Sequence, residues 1–220
     1  MKKIFSSLLV AAIVAGLTAC GGGKQGACRI HGVVSDAQME GKTMFLVPFT
    51  NDSPDNVDSA KIVNGSFEFT TDTVMLAKLI MDYHYRLGTQ TLLVVTEPGT
   101  VNVTFGAVSS GGGTPLNDSL QGWKTVTERH NSEYGPLIKQ YREAENKGDK
   151  SQAALLKAKA DSVHLAYKQY SRRLADNVKN TVLSDFLQDM FPRKYKLAKP
   201  DSTVVWVDAD TQEELGPVEE

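Results

Sequence analysis

Between residues 27 and 105 apolar and polar positions alternate in short runs broken by turn residues. Beyond residue 115 the apolar positions recur every three or four residues instead. The first spacing is that of half-buried strands, the second that of amphipathic helices. Strands are predicted at Cys28 to Val34, Thr43 to Pro48, Ala60 to Val63, Phe67 to Thr70, Leu76 to Tyr85, Thr91 to Thr96 and Val101 to Phe105. Asn64-Gly65 separates Ile62-Val63 from Phe67-Glu68-Phe69, and both residues accept the positive φ of a tight hairpin turn. Glu97-Pro98-Gly99 signals another reversal. About seven short strands of this kind read as an antiparallel sandwich or open barrel.

The pattern changes at Ser109-Ser110-Gly111-Gly112-Gly113, which reads as a linker. Thr114 then offers an N-cap and Pro115 a first helical residue whose missing N–H is harmless. One apolar stripe runs Leu120, Trp123, Val126 or Thr127, His130, Tyr134, Leu137, Ile138 and Tyr141. After the turn at Lys147-Gly148-Asp149 a second runs Leu156, Ala160, Val163, Tyr167, Tyr170, Leu174 and Val178. Gly135-Pro136 is expected to kink or split the first helix near Tyr134. The two stripes predict an antiparallel helical hairpin, and Val182 to Phe191 predicts a third helix ended by Pro192. The expected fold class is therefore α+β. A β-rich domain spans residues 27–106 and a helical region 107–192; residues 193–220 form a basic then acidic tail with one strand at Thr203 to Val207.

The start of the chain carries an address. Lys2 and Lys3 precede an apolar run from Ile4 to Leu17, the pattern of a signal peptide over residues 1–19, and the run is short for a bilayer span of roughly 20 residues. Leu17-Thr18-Ala19-Cys20 resembles the bacterial lipobox, which implies acylation of Cys20 and a flexible tether at 20–26. More than one acyl chain makes such an anchor effectively permanent. The segment from Gly21 to Ala27 lacks the acidic residues that resemble a surface-export signal, so a periplasm-facing outer-membrane lipoprotein is expected.

Charge and cysteine content narrow the chemistry. Without Lys2 and Lys3 the net charge moves from −2 to −4 for residues 20–220, which gives no electrostatic reason to bind nucleic acid. With Cys20 acylated, Cys28 is the one remaining thiol, and no intramolecular disulfide or C-x-x-C pair can form. Cys28 opens an apolar run and reads first as a small buried hydrophobe, with an intermolecular thiol role as the alternative.

Catalytic motifs are not recognisable. His31, His84, His130 and His164 lie far apart in sequence, and His130 sits on an apolar stripe, so no metal or other cofactor is expected. Asp52, Asp55 and Asp58 lack the spacing of a calcium loop. No G-x-S-x-G or S-x-x-K occurs, and Gly111 to Gly113 lack the residues of a phosphate loop. Arg172-Arg173 and the cluster Arg193, Lys194, Lys196 and Lys199 offer a site for a phosphate or an anionic envelope component, or else form a solvated helix face and a basic tail that pairs with Asp208, Asp210, Glu213 and Glu214.

His31-Gly32-Val33-Val34, the Leu46 strand, Val57-Asp58-Ser59-Ala60, Asn64 to Phe69, Glu97-Pro98-Gly99 and Gly113-Thr114-Pro115-Leu116-Asn117-Asp118 together resemble the DUF4369 family, a domain of unknown function. Similar domains often precede a thioredoxin-like module in Bacteroidetes envelope lipoproteins. Because no C-x-x-C occurs here, that redox chemistry does not carry over. Asp58-Ser59-Ala60 and Asp72-Thr73-Val74 resemble a three-residue O-glycosylation signal, which marks Ser59 and Thr73. The expectation is a non-enzymatic binding or scaffolding lipoprotein whose partner is an envelope protein or glycan. The alternative is an accessory to the thiol-disulfide traffic of a separate thioredoxin-like protein.

Overall fold

The computed structural model describes residues 26–81, 88–201 and 203–218. Cys20, the leader and His84 lie outside these residues, as does the end of the expected Leu76 to Tyr85 strand.

Eight strands form two four-stranded sheets. They are β1 (Cys28–Val34), β2 (Thr43–Pro48), β3 (Asp58–Lys61), β4 (Ser66–Thr71), β5 (Leu76–Met81), β6 (Leu92–Val95), β7 (Gly99–Phe105) and β8 (Ser110–Gly112). One sheet has the order β4-β1-β7-β8 and the other β3-β2-β5-β6. Alternation along each strand sends one set of side chains inward. Ile30, Phe67, Phe69, Val101, Val103 and Phe105 from the first sheet meet Met44, Leu46, Leu79, Met81 and Val94 from the second in one buried core. The sheets thus form a sandwich. It is not wholly antiparallel, because β1 and β7 run parallel, Cys28 opposite Gly99 through Val34 opposite Phe105.

The Asn64-Gly65 turn forms with φ of 52° and 69°, and the Glu40 carboxylate accepts both of their backbone N–H groups at 2.9 Å. Its flanking strands nevertheless part company. They share one bridge, Val63 with Ser66, after which β3 joins one sheet and β4 the other. The turn is a corner of the sandwich rather than the end of a long ribbon.

Two long helices follow, α1 (Pro115–Asn146) and α2 (Lys150–Asn177), then the short α3 (Val182–Met190). Asp149 caps α2 by accepting the Gln152 N–H at 3.0 Å. Trp123 Nε1 donates to Ser171 Oγ at 3.1 Å, and the Thr127 and Tyr167 hydroxyls lie 2.8 Å apart. Later residues of α1 thus face earlier residues of α2, the antiparallel hairpin the stripes predict. Of the kink or split expected at Gly135-Pro136, the split does not occur, since α1 continues through it. Proline removes one hydrogen bond, to the Ser132 carbonyl. Ser132, Gly135 and Pro136 are all exposed, so water reaches the freed carbonyl.

The glycine run is no linker. Ser110 to Gly112 pair with β7, and a Cβ on Gly112 would sit 2.8 Å from Asp118 Oδ1, while one on Gly113 would sit 2.8 Å from the Thr100 carbonyl oxygen. Gly113 also has φ of 100°. Glycine is required here because the first turn of α1 lies directly on the edge of the sheet.

Residues 193–220 hold more order than a tail. Strands β9 (Lys194–Ala198), β10 (Val204–Asp208) and β11 (Glu214–Pro217) form an antiparallel meander in the order β11-β10-β9. Tyr195 pairs with Val207 and Leu197 with Val205. A second core joins Leu76 and Val95 of the sandwich to Leu120, Trp123, Leu183, Phe186 and Leu187 of the helices. Phe49, at the end of β2, meets the Phe186 ring edge-on at 5.0 Å.

Candidate ligand-binding cleft

Arg172 makes several of the contacts that hold the meander to the helices. Arg172 Nε donates to the Phe191 carbonyl at 3.1 Å, its Nη2 donates to the Pro192 carbonyl, and the guanidinium pairs with Asp210. Lys168 pairs with the same carboxylate. Hydrogen bonds from Arg172, then from Lys168, hold the Asp210 carboxyl below the usual carboxylate range. Arg172 is therefore a strut rather than part of a solvated helix face, while Lys199, bound to Glu214 at 2.7 Å, makes the expected pairing of the basic tail. These two basic residues pair with the acidic stretch.

Between α2, α3 and the meander lies an open cleft of about 450 Å³. Leu187 and Phe191 line it together with Asp176, Gln188, Asp189, Arg193, Lys194 and Trp206. Arg193 Nη2 donates to Asp176 Oδ2 at 2.6 Å across its mouth. Lys194 and Lys196 lie over the Trp206 ring, 4.3 Å and 5.3 Å from its centre. An indole set among a guanidinium, two carboxylates, an amide and an ammonium combines an apolar plate with donors and acceptors on every side. Sequence reasoning picked out Arg193 and Lys194 from charge alone. It did not find Trp206, Asp176 or Gln188, because only the meander brings them together.

The other expected residues lie elsewhere. Ser59 is exposed on the edge strand β3, and Thr73 is exposed just after β4. Asp52, Asp55 and Asp58 are exposed, and among the described residues no three His, Cys, Asp or Glu side chains converge on a metal position. His31 faces Glu68 across the β1–β4 pair at 3.2 Å. His130 and His164, distant in sequence, come together where the helices cross, with His164 Nδ1 3.3 Å from His130 Nε2.

Cys28 is 1% exposed, and burial first, then the Glu97 carboxylate, push its thiol up to about 11. A thiol of this kind is poorly nucleophilic, and a mixed disulfide would require the start of β1 to open. The folded protein holds this proton to higher pH than the unfolded chain, whose thiol titrates near 9.0. The resulting stabilisation is whole below that pH and is lost as pH rises to about 11. Urea unfolding of the parent and of Cys28→Ala at a series of alkaline pH values will show the difference between them drifting across this window. A constant difference would contradict the buried, protonated thiol.

The sequence motifs themselves converge on a joint. Glu97 Oε1 accepts the Leu116 N–H at 2.6 Å and the Asn117 N–H at 3.3 Å, so the acid of Glu97-Pro98-Gly99 stands in for the cap that Thr114 does not supply. Asp118 Oδ1 accepts the Gly113 N–H at 2.8 Å. Asn117, 2% exposed, accepts the Val95 N–H at 2.9 Å and donates to the Val95 carbonyl at 2.7 Å and to Thr114 Oγ1 at 2.8 Å. These residues join strands to helix.

The class defined by this fold is an α+β protein in which a two-sheet sandwich is sealed by an Asn117 joint onto a helical hairpin. Residues 28–120 match the family model of DUF4369, a domain of unknown function. The match ends in the second turn of α1, just past the joint. Neither a curated protein nor a solved structure matches the chain.

Proposed function

We propose that the protein is a non-enzymatic envelope lipoprotein, held by acyl chains on Cys20 at the periplasmic face of the outer membrane, whose cleft binds an envelope glycan. Leu17-Thr18-Ala19-Cys20 supports the anchor. The observation that carries the binding role is the cleft around Trp206, with Asp176, Gln188, Asp189 and Arg193 about the indole. The C–H face of a sugar packs on an indole while its hydroxyl groups bond to carboxylate, amide and guanidinium, and only the two flexible lysine side chains must swing aside. In this reading the DUF4369 sandwich is the platform that holds the cleft at the membrane surface.

Binding of the full chain to purified envelope glycans, read by calorimetry, tests the role. Trp206→Ala is expected to weaken the interaction at least tenfold, roughly the loss of one stacked ring with its hydrogen-bonded neighbours. Equal affinity of parent and variant, or no glycan bound by the parent, would overturn it. The anchor has its own test: Cys20→Ser should move the protein from the membrane to the soluble fraction and remove incorporated fatty acid. A parent chain free of fatty acid would refute that half.

A further inference from the structure

The residues between the two halves of the hairpin form an arrangement that neither the sandwich nor the cleft uses. His130 of α1 stacks between two tyrosine rings, Tyr134 at 5.0 Å and Tyr167 at 4.3 Å, each within 20° of parallel. Tyr167 is in turn fixed by its hydroxyl contact with Thr127. The imidazole of His130 is therefore held in one orientation before any ligand arrives. His164 of α2 meets it from the other helix, their ring centres 5.4 Å apart.

The proton positions follow from the neighbours. His130 Nδ1 lies 3.1 Å from Asn131 Oδ1, an oxygen that only accepts, so Nδ1 carries the hydrogen and Nε2 presents its lone pair. His164 Nδ1 lies 3.3 Å from that nitrogen and with Nδ1 of His130 protonated serves as the N–H donor to it. An oxygen bonded to the far nitrogen, as Asn131 Oδ1 is here, is the device that fixes the tautomer of metal-binding histidines. The spacing carries the same message. Two imidazole nitrogens about 2.0–2.1 Å from a tetrahedral metal stand roughly 3.3–3.4 Å apart.

We propose that His130 Nε2 and His164 Nδ1 form a two-imidazole site for a borderline transition-metal dication of the Zn(II) or Cu(II) type. The metal lies to one side of the line between the two nitrogens, because 3.3 Å on that line leaves no room for two bonds of about 2.0–2.1 Å, and it displaces the hydrogen they share. His164 stays neutral as its N–H shifts from Nδ1 to Nε2 by exchange with water, so no net proton is released. Among the described residues no third His, Cys, Asp or Glu completes the shell, so water or an exogenous donor fills the other positions. His164 is exposed and His130 half-buried, which leaves that side open. Imidazole donors favour Zn and Cu over Mg or Ca, and Cu(II) over Zn(II).

The site stands independently of the glycan reading. The test is a Zn(II) titration of the full chain in detergent, followed by calorimetry and by the imidazole resonances of the four histidines. One ion per chain is expected below about 1 mM, shifting His130 and His164 together. His164→Gln should weaken binding at least tenfold, and so should His130→Phe, which keeps a ring between Tyr134 and Tyr167. His31→Gln should leave it unchanged. Because His164 is exposed, its variant remains folded and decides the matter if His130→Phe does not. Absence of binding by the parent chain, or equal binding by His164→Gln, would overturn the assignment.

Discussion

Asn117→Leu will lower the unfolding free energy by about 3–5 kcal/mol, the larger of the two effects expected from single substitutions outside the sites, because it strips two buried backbone groups of their partners at once. The Asn117 amide meets Val95 as a neighbouring strand would, accepting its N–H and donating to its carbonyl. Val95 and Asn117 are both buried, so water cannot replace either bond. Each orphaned group costs about 1–3 kcal/mol, and leucine supplies neither a donor nor an acceptor. For a chain of this size the loss corresponds to a fall of roughly 10 °C in Tm. Asn117→Asp keeps the acceptor for the Val95 N–H and sets a carboxylate oxygen against the Val95 carbonyl, so it should be no milder. Urea unfolding followed by circular dichroism measures both, and a loss below about 1 kcal/mol for Asn117→Leu would show that the joint is not structural.

Gly32→Val should cost about 2–4 kcal/mol by overfilling the sandwich core. Gly32 lies opposite Phe67 in the β1–β4 pair, and the Phe67 ring occupies the space a side chain would take. A Cβ on Gly32 would stand 2.0 Å from Phe67 Cζ. The ring has nowhere to move, being 2% exposed and packed edge-on against Phe69 at 5.9 Å. The pair is thus one large side chain shared by two positions. Shortening the partner should relieve the clash, so the double variant Gly32→Val with Phe67→Leu should lose less than the sum of the two single variants. Strict additivity in that cycle would mean that the glycine serves another purpose.

Both substitutions fall on motifs that make the DUF4369 domain recognisable in sequence, His31-Gly32-Val33-Val34 and Gly113 to Asp118. Their roles are architectural: one makes room for a ring and the other closes a seam. The strands were readable because each carries its period of two within a few residues, as β1 and β2 do with the bounds expected. The start of α1 was readable for the same local reason, with Pro115 at its first residue. Even the Asn64-Gly65 corner was legible, since positive φ is a property of two residues and their own sterics.

What failed to show in sequence was whatever depends on an encounter between distant residues. Ser110 to Gly112 look like a tether because glycines carry no pattern, and they become a strand only when β7 and the first turn of α1 close around them. The basic run from Arg193 to Lys199 hid β9, because Lys194 and Lys196 mask an alternation that Tyr195 and Leu197 complete against β10. Pro136 looked like a break because its local cost is evident, whereas the exposure that lets water satisfy Ser132 is not.

The same division separates the candidate sites. By itself the sequence determined most strand and helix segments, the Asn64-Gly65 turn, the count of two cysteines and the lipobox-like run Leu17 to Cys20, all of them consequences of neighbouring residues or of counting. Tertiary structure alone decided that Trp206 shares a cleft with Asp176 and Arg193, that Asn117 substitutes for a strand, and that His130 meets His164. The physical reason is range. Periodicity and backbone preference act over a few residues, while a pocket or a pair of facing imidazoles exists only once the chain has closed on itself.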